Sequence, residues 1–238
     1  MKIIIEKNET KITTIDEWFN LAPPMGRKKQ WKMGRSAMEM ARFALSDSFP
    51  IFISNVLHGL GLEESVFYCE PEVVTSFGNG FGKGGGRNHD FRMTGKETLI
   101  CIEAKVSEPF DKQVKDVNNE RLNKLKSFLY GDRNVNVDNL YYQLFTGTVG
   151  SIKEAERINK QAGDIKIKNV VFLVLVFTGH VNLEGASKNT LTDNDNAFSS
   201  FCESLDVMDN EPLILPGAPK YNYWIKKSKV EIGTDYKF

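Results

Sequence analysis

One short predicted strand carries an acidic and a basic side chain on the same face. The segment Leu99–Val106 (LICIEAKV) is apolar except at Glu103 and Lys105. Because successive side chains of a strand point to opposite faces, these two share a face with Leu99 and Cys101. The other face is purely apolar and is predicted to enter a core; it carries Ile100, Ile102, Ala104 and Val106.

A second carboxylate, that of Asp90, is predicted to lie beside Glu103. The predicted strand His89–Met93 comes just before, and a tight turn around Gly95-Lys96 joins the two strands. With a two-residue turn, Asp90 lies opposite Cys101 and Glu103 is its diagonal neighbour. A three-residue loop would shift the register by one residue and send Asp90 to the other face.

Two carboxylates beside an ammonium group suit the chemistry of a hard divalent cation. Mg²⁺ prefers oxygen ligands and is commonly bound by one or two carboxylates together with phosphate oxygens of a substrate. Such an ion polarises a phosphodiester and lowers the pKa of a bound water, which can then attack phosphorus. Lys105 would position that water or neutralise the developing negative charge. The alternative interpretation is a cross-strand salt bridge of Lys105 with Glu103 or Asp90 on a solvated face.

The elements around this hairpin predict an α/β fold with a mixed sheet. Capping boxes at Thr14–Glu17 and Ser36–Glu39 are predicted to open two helices. The segment Val170–Phe177 (VVFLVLVF) is typical of a strand buried on both faces of a sheet. Further helices are predicted at 51–60, 119–130, 139–162 and 197–205, and further strands at 2–6, 65–77 and, at a sheet edge, 221–232.

The spacing and setting of the acidic residues resemble the motif of the PD-(D/E)XK nuclease superfamily. Asp90 is followed by twelve intervening residues and then by Glu103-Ala104-Lys105 on a hydrophobic strand. The predicted order of elements over residues 36–178 is similar to that superfamily's αβββαβ core. His89 stands where the family pattern has Pro, which is a frequent variation. The segments WKMGRSAMEMA and YYQLFTGTVGSIKEAERI also resemble an uncharacterised bacterial family with a nuclease-like core.

The resemblance implies a fold, an activity and a set of site residues. The fold would be a restriction-endonuclease-like αβββαβ core with a mixed central sheet flanked by helices, within one domain spanning 1–238. The activity would be metal-dependent hydrolysis of DNA or RNA. Asp90 and Glu103 would hold Mg²⁺ or Mn²⁺ together with the backbone carbonyl of Ala104, and Lys105 would be the catalytic lysine.

Three further polar residues are candidates for the same site, each with a structural alternative. Glu39 could add a carboxylate near the metal, but it also fits as the third residue of a capping box. Glu72 could do the same, or could be a solvated strand end. Gln143, on a predicted long helix, could face the site or be exposed to water.

Basic residues in and beside two unusual segments are candidates for contacts to phosphates. Residues 26–35 (GRKKQWKMGR) include five basic residues and no acidic one, and residues 78–86 include six glycines. The glycine-rich segment lacks the Lys-Ser/Thr of a Walker A loop. The candidates for nucleic-acid binding are Arg27, Lys28, Lys29, Arg35, Lys83 and Arg87. The alternatives are a solvated surface and a connection without a role.

The overall composition excludes several classes of protein. Lys+Arg and Asp+Glu both number 31, so total charge alone would not hold a nucleic acid. The three cysteines form no CxxC pair, which argues against a disulfide scaffold or a zinc ribbon. No apolar run approaches the ~18 residues that span a bilayer, and the N-terminus does not resemble a signal peptide. A cytoplasmic protein is expected.

Three functions remain open at this point. The first is a metal-dependent nuclease, for which a homodimer would suit a cut across both strands. The second is a catalytically inactive nuclease-like module for binding or assembly. The third is a structural α/β domain in which Asp90, Glu103 and Lys105 form only an ion-pair cluster.

Overall fold

A seven-stranded mixed sheet forms the centre of the fold. The computed structural model describes residues 1–25, 29–78, 81, 86–106, 108–117, 120–161, 163–179 and 188–231, with side chains from residue 192 in the last range. Within them the strand order is β2-β1-β3-β4-β5-β6-β7. The strands are β1 (Lys2–Lys7), β2 (Thr10–Lys11), β3 (Val66–Thr75), β4 (Arg87–Thr94), β5 (Thr98–Lys105), β6 (Asn169–Thr178) and β7 (Asn222–Glu231).

Six helices of the described residues cover the two faces of this sheet. They are α1 (Ile15–Leu21), α2 (Ser36–Ala44), α3 (Ser48–Gly59), α4 (Glu120–Tyr130), α5 (Tyr142–Lys160) and α6 (Lys188–Ser204). Helices α1 to α3 pack on one face, where the rings of Trp18 and Phe91 stack at 5.3 Å. Helices α4 to α6 pack on the other face around Phe145, Phe172 and Phe201. The central strands are therefore buried on both sides.

The predicted α/β class, with a mixed central sheet flanked by helices, is confirmed. β1 and β3, β5 and β6, and β6 and β7 pair in parallel, whereas the other neighbours pair antiparallel. Strand β6 is buried from 170 to 177, as predicted, and β7 lies at the sheet edge. The order α3, β3, β4, β5, α5, β6 matches αβββαβ, with α4 inserted. No described helix is long and apolar enough to cross a membrane.

The register predicted for the β4–β5 hairpin is wrong by two residues. Thr94 pairs with Leu99 rather than lying opposite Glu97, so the turn is longer than two residues. The reason is a contact from outside the hairpin, because the carboxylate of Glu64 accepts the backbone N–H groups of Glu97 and Thr98, each at 2.8 Å. A shift of two preserves the alternation of faces. It moves the position of Asp90 from opposite Cys101 to the level of Glu103.

One of the two predicted capping boxes is present and the other is not. At α1 the Thr14 hydroxyl accepts the Glu17 N–H at 3.2 Å, and the Glu17 carboxylate accepts the Thr14 N–H at 3.0 Å. At α2 the N-cap is Arg35, which makes no side-chain capping bond, and Ser36 is already helical. The carboxylate of Glu39 instead accepts the N–H of Gly34 at 2.7 Å, and Gly34 is the residue just before the N-cap.

Candidate functional site

A cleft of ≈330 Å³ opens at the carboxyl end of β5 and brings the predicted catalytic residues together. Seven of its lining residues were candidates on sequence grounds: Glu72, Arg87, Asp90, Glu103, Lys105 and Gln143 by their side chains, and Ala104 by its backbone carbonyl. Ser36 and Ala37, at the start of α2, also line the cleft. The elements that meet here are therefore β3, β4, β5, α2 and α5.

Asp90 reaches the cleft because the β4–β5 ladder ends just before it. The last pair in that ladder is Phe91 with Ile102. Beyond it, Asp90 Oδ2 accepts the backbone N–H of Ala104 at 2.7 Å, so a side chain replaces a strand partner. Strict alternation also breaks here, since Phe91 enters the core under α1 to α3 while His89 lies against Gly150 of α5. The facing strand is irregular as well.

The irregularity of β3 lies at Glu72, which has a positive φ of 49°. The Asn88 amide donates to Glu72 Oε2 at 2.6 Å and holds this carboxylate at the cleft. Burial and, more weakly, the nearby Glu103 raise the pKa of Glu72 to about 6. Glu72 is therefore a third acidic group beside the predicted pair.

Glu103 is buried and has both carboxylate oxygens engaged. It is 3% exposed. Its Oε2 accepts a hydrogen bond from the Arg87 guanidinium, and its Oε1 accepts one from the Gln143 amide. Lys105 Nζ lies 3.2 Å from the same Oε1. Burial opposes ionisation, but the charges of Arg87 and Lys105 outweigh it and lower the pKa of Glu103. These two cations therefore favour the ionised form of Glu103.

Asp90 differs from Glu103 in its electrostatic surroundings. Among the described residues it has no ion pair with a lysine or arginine. Burial, followed by the charges of Glu103 and Glu72, raises its pKa well above the usual range of an aspartate. The arrangement holds one carboxylate whose ionised form is favoured next to one that resists ionisation. The charge of Arg87 lowers the pKa of Asp90, but less than burial and the two neighbouring carboxylates raise it.

Lys105 is held between the carboxylate of Glu103 and an aromatic ring. Its side chain is 8% exposed, and Nζ lies 5.6 Å from the centre of the Phe110 ring. Asn194 of α6 fixes the segment that follows β5, because its amide donates to the Glu108 carbonyl at 2.9 Å and accepts the Phe110 N–H at 3.2 Å. Glu108 and Asn194 lie in stretches without a periodic pattern, so the sequence did not indicate them.

The remaining predicted residues are scattered. Glu39 does not line the cleft; besides Gly34, it contacts Arg42 at 3.1 Å and is fully buried. Lys29 and Arg35 are exposed. Arg87 is engaged with Glu103 rather than extended into solvent. Three predicted phosphate contacts lie outside the described residues: Arg27, Lys28 and Lys83.

A second charged cluster, not predicted from the sequence, lies beside the site. Glu154 of α5 is fully buried, and its carboxylate accepts hydrogen bonds from Arg92 Nη1 at 2.5 Å, Arg157 Nη2 at 2.6 Å and the Thr75 hydroxyl at 2.9 Å. A signal did exist, since Gln143 and Glu154 are eleven residues apart and so lie on one helix face. That face packs against the sheet.

The donor set is smaller than that of a preformed metal site. Among the described side chains, no three or more His, Cys, Asp or Glu residues form a group that could hold a metal ion by themselves. The oxygens at hand are the carboxylates of Asp90 and Glu103, the backbone carbonyl of Ala104 and, at the edge of the cleft on β3, the carboxylate of Glu72. In a strand, the backbone N–H and C=O of one residue point to the same side. The Ala104 N–H donates to Asp90, so the Ala104 carbonyl also points toward Asp90.

Comparison with known proteins gives a family but no activity. No curated protein and no solved structure matches the chain. A family model described as a domain of unknown function, DUF6946, matches residues 11–227. The matched range includes every residue of the cleft named above. The chain therefore belongs to the DUF6946 family of domains of unknown function.

Proposed function

We propose that this protein is a metal-dependent nuclease that hydrolyses phosphodiester bonds of DNA or RNA. The observation that carries the proposal is the convergence of Asp90, Glu103 and Lys105 on one cleft at the end of β5. The three residues were selected by sequence spacing, and they could have been unrelated surface charges. Their motif resembles that of the PD-(D/E)XK nucleases, and the αβββαβ order of the elements is compatible with that resemblance.

The oxygen atoms at the cleft suit Mg²⁺ or Mn²⁺. Asp90, Glu103 and the Ala104 carbonyl would hold the ion, with water and phosphate oxygens completing its shell. The site has an excess of negative charge near Asp90, since Glu103 and Glu72 both raise the pKa of that carboxyl group. A dication would remove this repulsion. When bound, it polarises a phosphodiester and lowers the pKa of a water molecule that it holds.

The protein's own residues supply orientation and charge. The Ala104 N–H orients Asp90 at 2.7 Å, and the Gln143 amide orients Glu103. Lys105 Nζ lies 3.2 Å from Glu103, where it would orient the attacking water or neutralise a phosphate oxygen. The exposed Lys29 and Arg35, near the start of α2, would contact the backbone of the nucleic acid.

A second candidate function is a nuclease-like module that binds nucleic acid without cleaving it. The observation that favours it is the engagement of both Glu103 oxygens by Arg87, Lys105 and Gln143. A carboxylate occupied in this way is a structural ion pair unless one of its partners can leave. The two candidates therefore differ in whether hydrolysis accompanies binding.

Digestion of plasmid DNA, single-stranded DNA and RNA by the purified full chain tests the proposal. Hydrolysis should require Mg²⁺ or Mn²⁺ and stop with a chelator. Glu103→Gln and Lys105→Ala should each lower the rate by about 10²-fold or more. Lys168→Ala, an exposed lysine paired with Glu97, is the matched control and should cleave normally.

The outcomes separate the two candidates. Cleavage that persists in both site variants would contradict the nuclease assignment. Binding of nucleic acid without metal dependence and without cleavage would favour the inactive module.

A further inference from the structure

We propose that Arg87 is an internal counter-cation of the site, which occupies Glu103 when no metal is present and is displaced when a divalent cation binds. The inference rests on the proposed metal site. It adds a residue that no nuclease-like motif in the sequence assigns, and it resolves the conflict between a metal ligand and a fully engaged carboxylate. The displaced guanidinium would be available to a phosphate of the substrate.

The position of Arg87 places a positive group where a cation would bind. Its guanidinium donates to Glu103 Oε2, the oxygen that neither Lys105 nor Gln143 contacts. Both Arg87 and Glu103 line the cleft, and the arginine side chain is 15% exposed. A dication on Glu103 and a guanidinium on the same carboxylate would repel each other at close range. Because the guanidinium lies on the oxygen that Lys105 and Gln143 leave open, it is the group that must move for an ion to reach Oε2.

The contacts of Arg87 favour exchange over a permanent structural pair. Among the described residues its guanidinium makes one hydrogen bond, to Glu103. Arg92 on the same strand bonds two carboxylates, those of Glu70 and Glu154. The stem of Arg87 is fixed, however, since an added Cβ at Gly150 would lie 2.8 Å from Arg87 Cβ. Only the head group needs to move.

Calorimetric titration of the full chain with MnCl₂ tests the inference. Arg87→Gln should bind Mn²⁺ about tenfold more tightly than the wild type, because the competing cation is gone. Arg87→Lys should fall between the two, since lysine retains the charge without the fork of donors. The control is Arg133→Gln, which also removes one positive charge and releases a carboxylate, that of Asp206, on an exposed surface. Its affinity should equal that of the wild type.

Three results decide between the possibilities. Equal or weaker Mn²⁺ binding by both Arg87 variants, with measurable binding by the wild type, would overturn the counter-cation role and leave the metal site standing. Binding by the Arg87→Gln variant alone would support the role. No binding by any variant at millimolar Mn²⁺ would overturn the metal site and the inference with it. Thermal melts of each variant verify that the chain is folded.

Discussion

Asp90 Oδ2 accepts the backbone N–H of Ala104 at 2.7 Å, at a point of β5 where pairing with the backbone of β4 has ended. The ladder has ended one pair earlier, at Phe91 and Ile102. The carboxylate is therefore placed by the backbone of β5 itself and held at the level of Glu103. The point at which β4 and β5 stop pairing is therefore also the centre of the candidate site.

Asp90→Asn should abolish metal binding and raise stability. An amide oxygen can still accept the Ala104 N–H, whereas the charge repelled by Glu103 and Glu72 is removed. An acid whose pKa is raised on folding destabilises the folded state at every pH above its unfolded-state pKa. The stability that Asp90→Asn gains over the wild type should therefore be present at pH 7 and vanish below pH 3.8. We expect an increase of at least about 1 kcal/mol in the free energy of unfolding.

Urea unfolding at pH 7 and at low pH measures this effect. Asp206→Asn, an exposed aspartate paired with Arg133, serves as the control and should change stability little. A loss of stability in Asp90→Asn at pH 7 would show that the carboxylate is a structural group rather than a repelled one.

Glu154→Gln should destabilise the protein. Glu154 is fully buried and satisfies both Arg92 and Arg157. The amide would direct donor hydrogens at the two guanidinium groups, although Arg92 keeps Glu70 and the Arg157 side chain is 45% exposed, so the cost should be about 1–3 kcal/mol. Glu156→Gln, two residues along α5 and paired with the half-buried Lys153, should cost less than about 1 kcal/mol. Equal effects of the two substitutions in denaturant unfolding would refute this role.

Glu154 should also give the protein a defined loss of stability in acid. Burial alone would raise the pKa of this carboxyl group, but the guanidinium groups of Arg157 and Arg92 lower it from 4.5 to about 2. The stabilisation is therefore complete above pH 4.5 and is lost as the pH falls through about 2. It amounts to about 3 kcal/mol. The difference in unfolding free energy between wild type and Glu154→Gln should shrink over this interval; a constant difference would contradict the assignment.

Gly150→Ala should loosen the packing of α5 on the site. A Cβ at this position would lie 2.8 Å from Arg87 Cβ and 3.0 Å from His89 Nε2, so the neighbours must shift. We expect a loss of about 1–3 kcal/mol despite the better helix propensity of alanine. Gly59 in α3 is the matched control, since nothing lies within 4 Å of its added Cβ. Thermal denaturation should show Gly59→Ala neutral or stabilised; the same loss in both variants would contradict this explanation.

The faces of β5 could be predicted from the sequence because they follow from local alternation. Ile100 and Ile102 enter the core under α1 to α3, and Glu103 and Lys105 share the opposite side, as the pattern required. The register could not be predicted. The register depends on hydrogen bonds from the turn to Glu64, which lies more than thirty residues before that turn in the chain.

The role of Arg87 could not be predicted for a similar reason. Uniform alternation along β4 puts Arg87 and Asp90 on opposite faces. The irregularity between His89 and Phe91 turns Arg87 toward α5 and onto Glu103. A strand irregularity opposite a residue with positive φ, Glu72, leaves no clear mark in the sequence. The identity of the site residues and the faces of β5 could therefore be predicted from the sequence. The hydrogen bonds and ion pairs that these residues make could not.

Diffraction from crystals soaked in MnCl₂ and measured for anomalous scattering tests the metal site most directly. One Mn²⁺ peak is expected in the cleft, with carboxylate oxygens of Asp90 and Glu103 as ligands and the Arg87 guanidinium moved away from Glu103. A cleft without a peak, with Arg87 still on Glu103 and manganese bound only at exposed acidic residues elsewhere, would contradict the proposed metal site.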